Sequence, residues 1–297
     1  MIDHLLARVY NQPHLCRPEK LEAISRVMVD RWRGIRADAP LLAELRAANQ
    51  ERRRPVVSNS VAVLPILGTL AKRGGMIEDS SGMASTDMIG REFDRLMADE
   101  SVGSILLDVD SPGGEVFGVP ELADKIFAAR GRKPIEASVN AEMASGALWI
   151  GTAADRVNIT PSGWIGSLGV YMAHTDVSAW NEAEGVRVTY ISAGDYKVEG
   201  NSDAPLTEEA AAYYQEQVNV IYDQFIAAVA RNRGVSKSIA RENYGKGRML
   251  QAQQAMGVGL VDRIETLDQT MQRMAGGGKR RASTRVESAW LELEAMR

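Results

Sequence analysis

From Val56 onward, short β-branched apolar runs take turns with stretches whose apolar residues recur every three to four positions. The runs are "SVAVLPILGTL", "SILLDVDSPGGEV", "IEASV", "RVNIT", "SLGVYMA" and "VRVTYIS", each read as a strand. Between the first two, "TDMIGREFDRLMADE" sets Met88, Ile89, Phe93, Leu96 and Met97 on one helical face, with Thr86 or Asp87 as the cap. Further helices are expected at about 119 to 130, from about 144, and over "VSAWNEAEG". A chain in which the two periods alternate builds βαβ units, so the expected class is α/β. Beyond Pro205 a long helix opens at Thr207, carries Glu208 and Glu209 in its first turn and stops at Gly234. A short helix follows, and then "AQQAMGVGLVDRIE" reads as helix, turn and strand.

The flanks differ from this body. Residues 1–55 are expected to form a helical arm, with Leu21, Ile24, Val27 and Met28 at helical spacing after Pro18, closed by the charged linker "NQERRRP". Residues 56–270 form the main domain, and residues 271–297 a flexible Gly and basic tail, "GGGKRRASTRVESAWLELEAMR". With 297 residues, 45% of them apolar, the chain can bury a substantial core. A net charge of -4 gives no general attraction to nucleic acid. The one cysteine, Cys16, excludes an intrachain disulfide and a cysteine-based zinc site. Asp3, His4 and Arg8 interrupt the apolar residues at the start, where a signal peptide needs a continuous run. Nothing approaches the roughly 18 apolar residues of a membrane span. The expectation is a cytoplasmic protein with no membrane and no nucleic-acid partner.

Two segments could carry chemistry. In "DVDSPGGEV", Gly113 and Gly114 follow a strand and permit main-chain N–H groups to face a cleft, although a tight turn uses the same residues. In "AEMASGALWIG", Ser145 stands at the head of a helix, where the partial positive charge and the Gly146 N–H favour a developing oxyanion. Taken alone, Ser145 reads as a packing serine or a cap. To act as a nucleophile it needs a base. His4 and His14 lie in the arm, outside the expected core, and His174 at a strand end reads as structural. Lys197 in "SAGDYKVEGN" lies on a loop between Gly194 and Gly200, and a lysine becomes a base when burial favours its neutral amine.

The segments "AVLPILGTL", "ILLDVDSPGGEV", "AEMASGALW", "IGSLGVYMAH" and "SAGDYKVEGN", in this order, resemble the signal-peptide-peptidase (SppA) family of serine peptidases. Within it they are similar to the head-maturation proteases of tailed phages, the lambda minor capsid protein C type, and the leader "ARVYNQPHLCRPEKLEAI" resembles that branch too. The resemblance runs from about Val61 to Asp262. It implies a ClpP/crotonase-like fold, a ring of identical copies, and no cofactor or metal. It further implies Ser145 as nucleophile, Lys197 as general base, Ser167 as the hydroxyl that hydrogen-bonds the lysine, and Gly113, Gly114 and Gly146 as the oxyanion hole. Ala147 and Leu148 stand where the family often has a second glycine and an aromatic, and Trp164-Ile165 where threonine is common before Gly-Ser. Both departures reshape a groove and remove no reacting group.

The implied function is a Ser-Lys endopeptidase that cuts scaffold or capsid proteins in an assembling procapsid in the host cytoplasm, with portal or other head proteins as further partners. Other readings stay open: a cellular signal-peptide or general peptide peptidase without a membrane anchor, a crotonase-like protein acting on acyl thioesters, and a structural homologue without activity.

Overall fold

The computed structural model describes residues 13–16, 51–52, 54–73 and 84–276. The apolar pattern at Leu21, Ile24, Val27 and Met28 and the tail beyond 276 lie outside the described residues.

The body is a mixed, mostly parallel sheet between helices. Its strands are β2 (Val56–Ser58), β3 (Val61–Leu67), β6 (Ser104–Ser111), β8 (Ile135–Ala144), β9 (Arg156–Ile159), β10 (Trp164–Gly166), β11 (Met249–Gln251) and β12 (Arg263–Ile264). β3, β6 and β8 run parallel at the centre. β3 is apolar on both faces, while β6 and β8 each set an apolar row against a row that carries Asp108 and Asp110 or Glu136, Ser138 and Asn140. β8 is long enough for two neighbours on its free edge: its first half pairs with β9, its last three residues with β10. Beside this sheet lies a second one of four short strands, in the order β1 (His14–Cys16), β7 (Gly113–Glu115), β4 (Leu70–Ala71) and β5 (Ala84–Ser85).

The helices follow their patterns. α1 (Thr86–Ala98) buries Ile89, Phe93, Leu96 and Met97, but its cap is Ser85, whose hydroxyl accepts from the Met88 N–H, and Met88 itself is exposed. α2 (Val119–Ala128) and α3 (Gly146–Gly151) pack together, and α5 (Glu208–Arg233) runs from the expected Thr207 cap to Gly234. Trp149 of α3 stacks on Phe225 of α5 with ring centroids 4.7 Å apart. Arg130 fastens the far end of α3, donating to the carbonyls of Thr152, Ala153, Ala154 and Asn232. The remaining helices are α4 (Ser178–Ala183), α6 (Lys237–Asn243), α7 (Ala252–Gly257) and a last one over 267–276.

Four expectations need correction. The run "SLGVYMA", expected as a strand, has only the single bridge of Tyr171 to His14, and the strand of this stretch is β10 just before it. His14, placed by sequence in a helical arm outside the core, is buried in a strand of the second sheet, because Leu15 and its neighbours find a partner edge in β7. Residues 271–276 begin no tail: Met274 is buried with Val61 and Leu106, and Arg273 donates to Glu136. The run "VRVTYIS" joins no sheet, since no edge within the described chain faces it, and Val186, Val188, Tyr190 and Ile191 stand exposed.

Candidate active site

Ser145 is the residue at which β8 gives way to α3. It is buried, and its backbone has φ 52 and ψ -114. A residue with a Cβ in that region carries about 1–3 kcal/mol of strain, which the surroundings must hold in place. They do so on both sides. The Ser145 N–H donates to the Gly166 carbonyl at 2.9 Å, continuing the β8–β10 ladder, and its own carbonyl accepts from Trp149 in the first turn of α3. The hydroxyl makes no cap to the helix; its Oγ lies 3.5 Å from the Gly169 carbonyl.

Gly113 closes on the same point from the second sheet. Its φ is +88, and a Cβ there would lie 2.9 Å from both the Ala144 carbonyl oxygen and the Gly146 nitrogen, the groups that flank Ser145. It would lie 2.0 Å from the Leu15 carbonyl oxygen, so no side chain is possible. The Gly113 N–H meets the Ser111 hydroxyl, which donates in turn to the Gly68 carbonyl. Gly114 is a glycine for a separate reason: a Cβ would meet the Leu70 carbonyl oxygen of β4 at 1.9 Å.

Ser167 stands next to Ser145, one step beyond the Ala144–Gly166 pair on the neighbouring parallel strand. It too has a positive φ, 55, and its N–H donates to the Arg248 carbonyl. The described residues therefore gather Ser145, Ser167, Gly113 and Gly146. They do not bring in Lys197, which is exposed on a loop and has no hydrogen bond or ion pair through Nζ among the described residues. That loop is closed at its base by the Val177 N–H to the Ser202 carbonyl and by Asn181 to Asp203. His174 belongs to the same closure, with Nε2 3.0 Å from the Asn201 carbonyl.

Residues missed by sequence reasoning complete the surroundings. β1 lies antiparallel on β7, with Leu15 opposite Gly114 and Cys16 opposite Gly113, and His14 bridges to Tyr171 on the other side. The only sequence trace of this strand is a short apolar run between Pro13 and Pro18. Tyr171 also lines a cavity of about 300 Å³ against α5, together with Val170, Leu206, Tyr214 and Val218.

The sequence pattern of Peptidase family S49 matches residues 128–280, a span that holds Ser145, Ser167 and Lys197. The chain belongs to peptidase family S49. Among its S49-type relatives, the head-tail preconnector protein GP5 of Enterobacteria phage P21 is 31% identical over 92% of this chain and 57% of that protein. Capsid assembly protease C of Escherichia phage lambda is 32% identical over 74% of this chain and 52% of its own length. Protease 4 of Haemophilus influenzae is 25% identical over 80% of this chain and 38% of that protein. The chain thus spans about half the length of the phage proteins it matches. A solved ClpP1 mutant from Listeria monocytogenes aligns with a TM-score of 0.43 and 13% identity over 69% of this chain and 91% of that one. Among the described residues no helix is long and apolar enough to cross a membrane.

Proposed function

We propose that this S49 member is a serine endopeptidase with Ser145 as nucleophile and Lys197 as general base. The observation that carries the reading is the strained Ser145 at a strand-to-helix turn, with the Gly146 nitrogen and the Gly113 main chain converging beside it. Strain of this kind persists where it presents a side chain that a relaxed turn would fold away. The neutral amine of Lys197 takes the Ser145 proton as Oγ attacks the peptide carbonyl. The N–H of Gly146 holds the oxyanion, joined by that of Gly113 once it leaves the Ser111 hydroxyl, and the ammonium gives its proton to the leaving amine. Water then releases the acyl group by the same proton path in reverse. Ser167, adjacent in register, is the hydroxyl that steadies the lysine. Gly114 serves the approach of β4 rather than the oxyanion.

Lys197 reaches Ser145 on assembly in this reading. The loop that bears it exposes Val186, Val188, Tyr190, Ile191 and Tyr196, with Ile191 99% exposed. Alternating apolar residues without a ladder partner among the described residues suit an edge supplied by a second copy. The name of capsid assembly protease C supports a substrate among capsid proteins; in this reading the chain cuts capsid or scaffold proteins during procapsid maturation in the host cytoplasm, within a ring of identical copies.

The test is mass spectrometry of the chain, of Ser145→Ala and of Lys197→Ala after incubation with the matching scaffold protein. Cleavage by the parent alone, with fragment ends at defined bonds, is expected. If Ser145→Ala cuts equally well, the assignment fails.

A further inference from the structure

β7 is the strand that carries Gly113 to the Ser145 turn, and a peptide paired on its open edge would lay its backbone across the nucleophile. That edge is taken. His14, Leu15 and Cys16 pair with Glu115, Gly114 and Gly113, all three are buried, and on its other side His14 bridges to Tyr171. Tyr171 lies two residues from Gly169, whose carbonyl faces the Ser145 hydroxyl. Both walls of the slot that holds β1 therefore end at Ser145. Within the slot, the Leu15 carbonyl oxygen shares the space beside Gly113 with the Gly146 nitrogen, while the Leu15 Cβ and Val119 Cγ2 each lie 3.4 Å from where a Gly146 side chain would be. The side chain of Leu15 is fully buried in the main core cluster.

We propose that β1 is the chain's own occupant of the peptide groove, with Leu15 in the side-chain pocket beside Ser145, so that a substrate must displace this strand and present a leucine-like side chain there. The inference rests on the peptidase reading for its meaning, but not for its test. Strand addition to a sheet edge uses main-chain hydrogen bonds for affinity and one or two side-chain pockets for selectivity. A tethered strand of three residues binds through its local concentration rather than its intrinsic strength, and yields to a longer competing strand. A buried pocket lined by Val119 and main chain accepts an aliphatic side chain and rejects a charged one, which would be left without a partner.

Cys16 supplies a readout that needs no activity, because it is the only thiol in the chain and is buried in β1. Burial pushes this thiol up, against a smaller opposing effect of the Tyr171 hydroxyl, so both access and reactivity return when the strand leaves. The experiment follows the reaction of Cys16 with Ellman's reagent in the full-length Ser145→Ala chain, in the same chain with Leu15→Asp or the milder Leu15→Ala, and with a synthetic peptide Gln-Pro-His-Leu-Ser-Arg added. Slow reaction in the parent is expected, with an increase of about tenfold or more for Leu15→Asp, less for Leu15→Ala, and a saturable increase with the peptide. A control peptide with aspartate in place of leucine has no effect. Circular dichroism verifies that the variants keep their fold. A thiol that reacts at the rate of free cysteine in the parent overturns the proposal. So does one that stays protected at every concentration of the leucine peptide. In chains that keep Ser145, Leu15→Asp raises cleavage of a leucine-containing fluorogenic peptide. If the thiol responses hold and no chain cuts anything, the groove assignment stands and the peptidase reading falls.

Discussion

At Ser145 the backbone and the side chain have opposed requirements. The φ of 52 and ψ of -114 suit glycine, yet a hydroxyl is kept there. Ser145→Gly should therefore raise stability by about 1 kcal/mol, read as a higher melting temperature, while Ser145→Ala leaves it near the parent value. Neither variant retains cleavage. A melting temperature for Ser145→Gly below that of Ser145→Ala would mean the turn is not strained. An arginine keeps its proton and cannot act as a base, so Lys197→Arg should abolish cleavage of the scaffold protein, read by the same mass spectrometry. Cleavage retained by Lys197→Arg would point to a different base. The place of Ser145 at the head of a helix and of Gly113 and Gly114 after a strand was legible from residue type and order, whereas Ser167 entered only through the family resemblance. The strain at Ser145 was not, because dihedral angles come from the strands and helix that pull on the residue from either side.

On the scale of elements, α3 is too short to hold itself, and its position depends on what covers it. Trp149 lies flat on Phe225, and Arg130 donates to the carbonyls of Thr152, Ala153 and Ala154 just past the end of α3. Trp149→Ala should cost about 3 kcal/mol, and activity should fall further than stability explains, because the serine moves with the helix. Denaturant titration alongside the cleavage rate separates the two effects. The helix endings at Thr207 and Gly234 were predictable, since caps and left-handed stops are local. β1 was hidden: three residues pair because an edge happens to face them, and no period can be read from so short a run. The same reasoning in reverse explains "VRVTYIS", a strand pattern that meets no partner edge among the described residues.

For the whole molecule, two partly exposed ion pairs tie the last third of the chain to the sheet. Glu136 on β8 accepts from Arg273 and Asn158, and Asp262 accepts from Arg233 and from the Val157 N–H. Burial alone would push both carboxyls up; these hydrogen bonds outweigh it and hold both below the usual carboxylate range. A carboxyl held low in the fold stabilises it above the unfolded value, about 4, and that contribution is lost as pH falls through the lower folded value. Glu136→Gln should therefore be less stable than the parent at pH 7, by about 1–3 kcal/mol, with the gap closing at acid pH. Thermal melts across pH 3 to 7 check this, and a constant gap would mean that the loss is one of packing. By itself the sequence determined the α/β class, the order of the chemical segments and the family they belong to, because strand and helix periods and short glycine-flanked motifs are written in consecutive residues. Only the tertiary structure decided that His14–Cys16 lies against Ser145, that Lys197 stands apart from it, and that residues 271–276 close the core. Each of those depends on which edges and faces are left open after the rest has packed, and that is a property of no single stretch of chain.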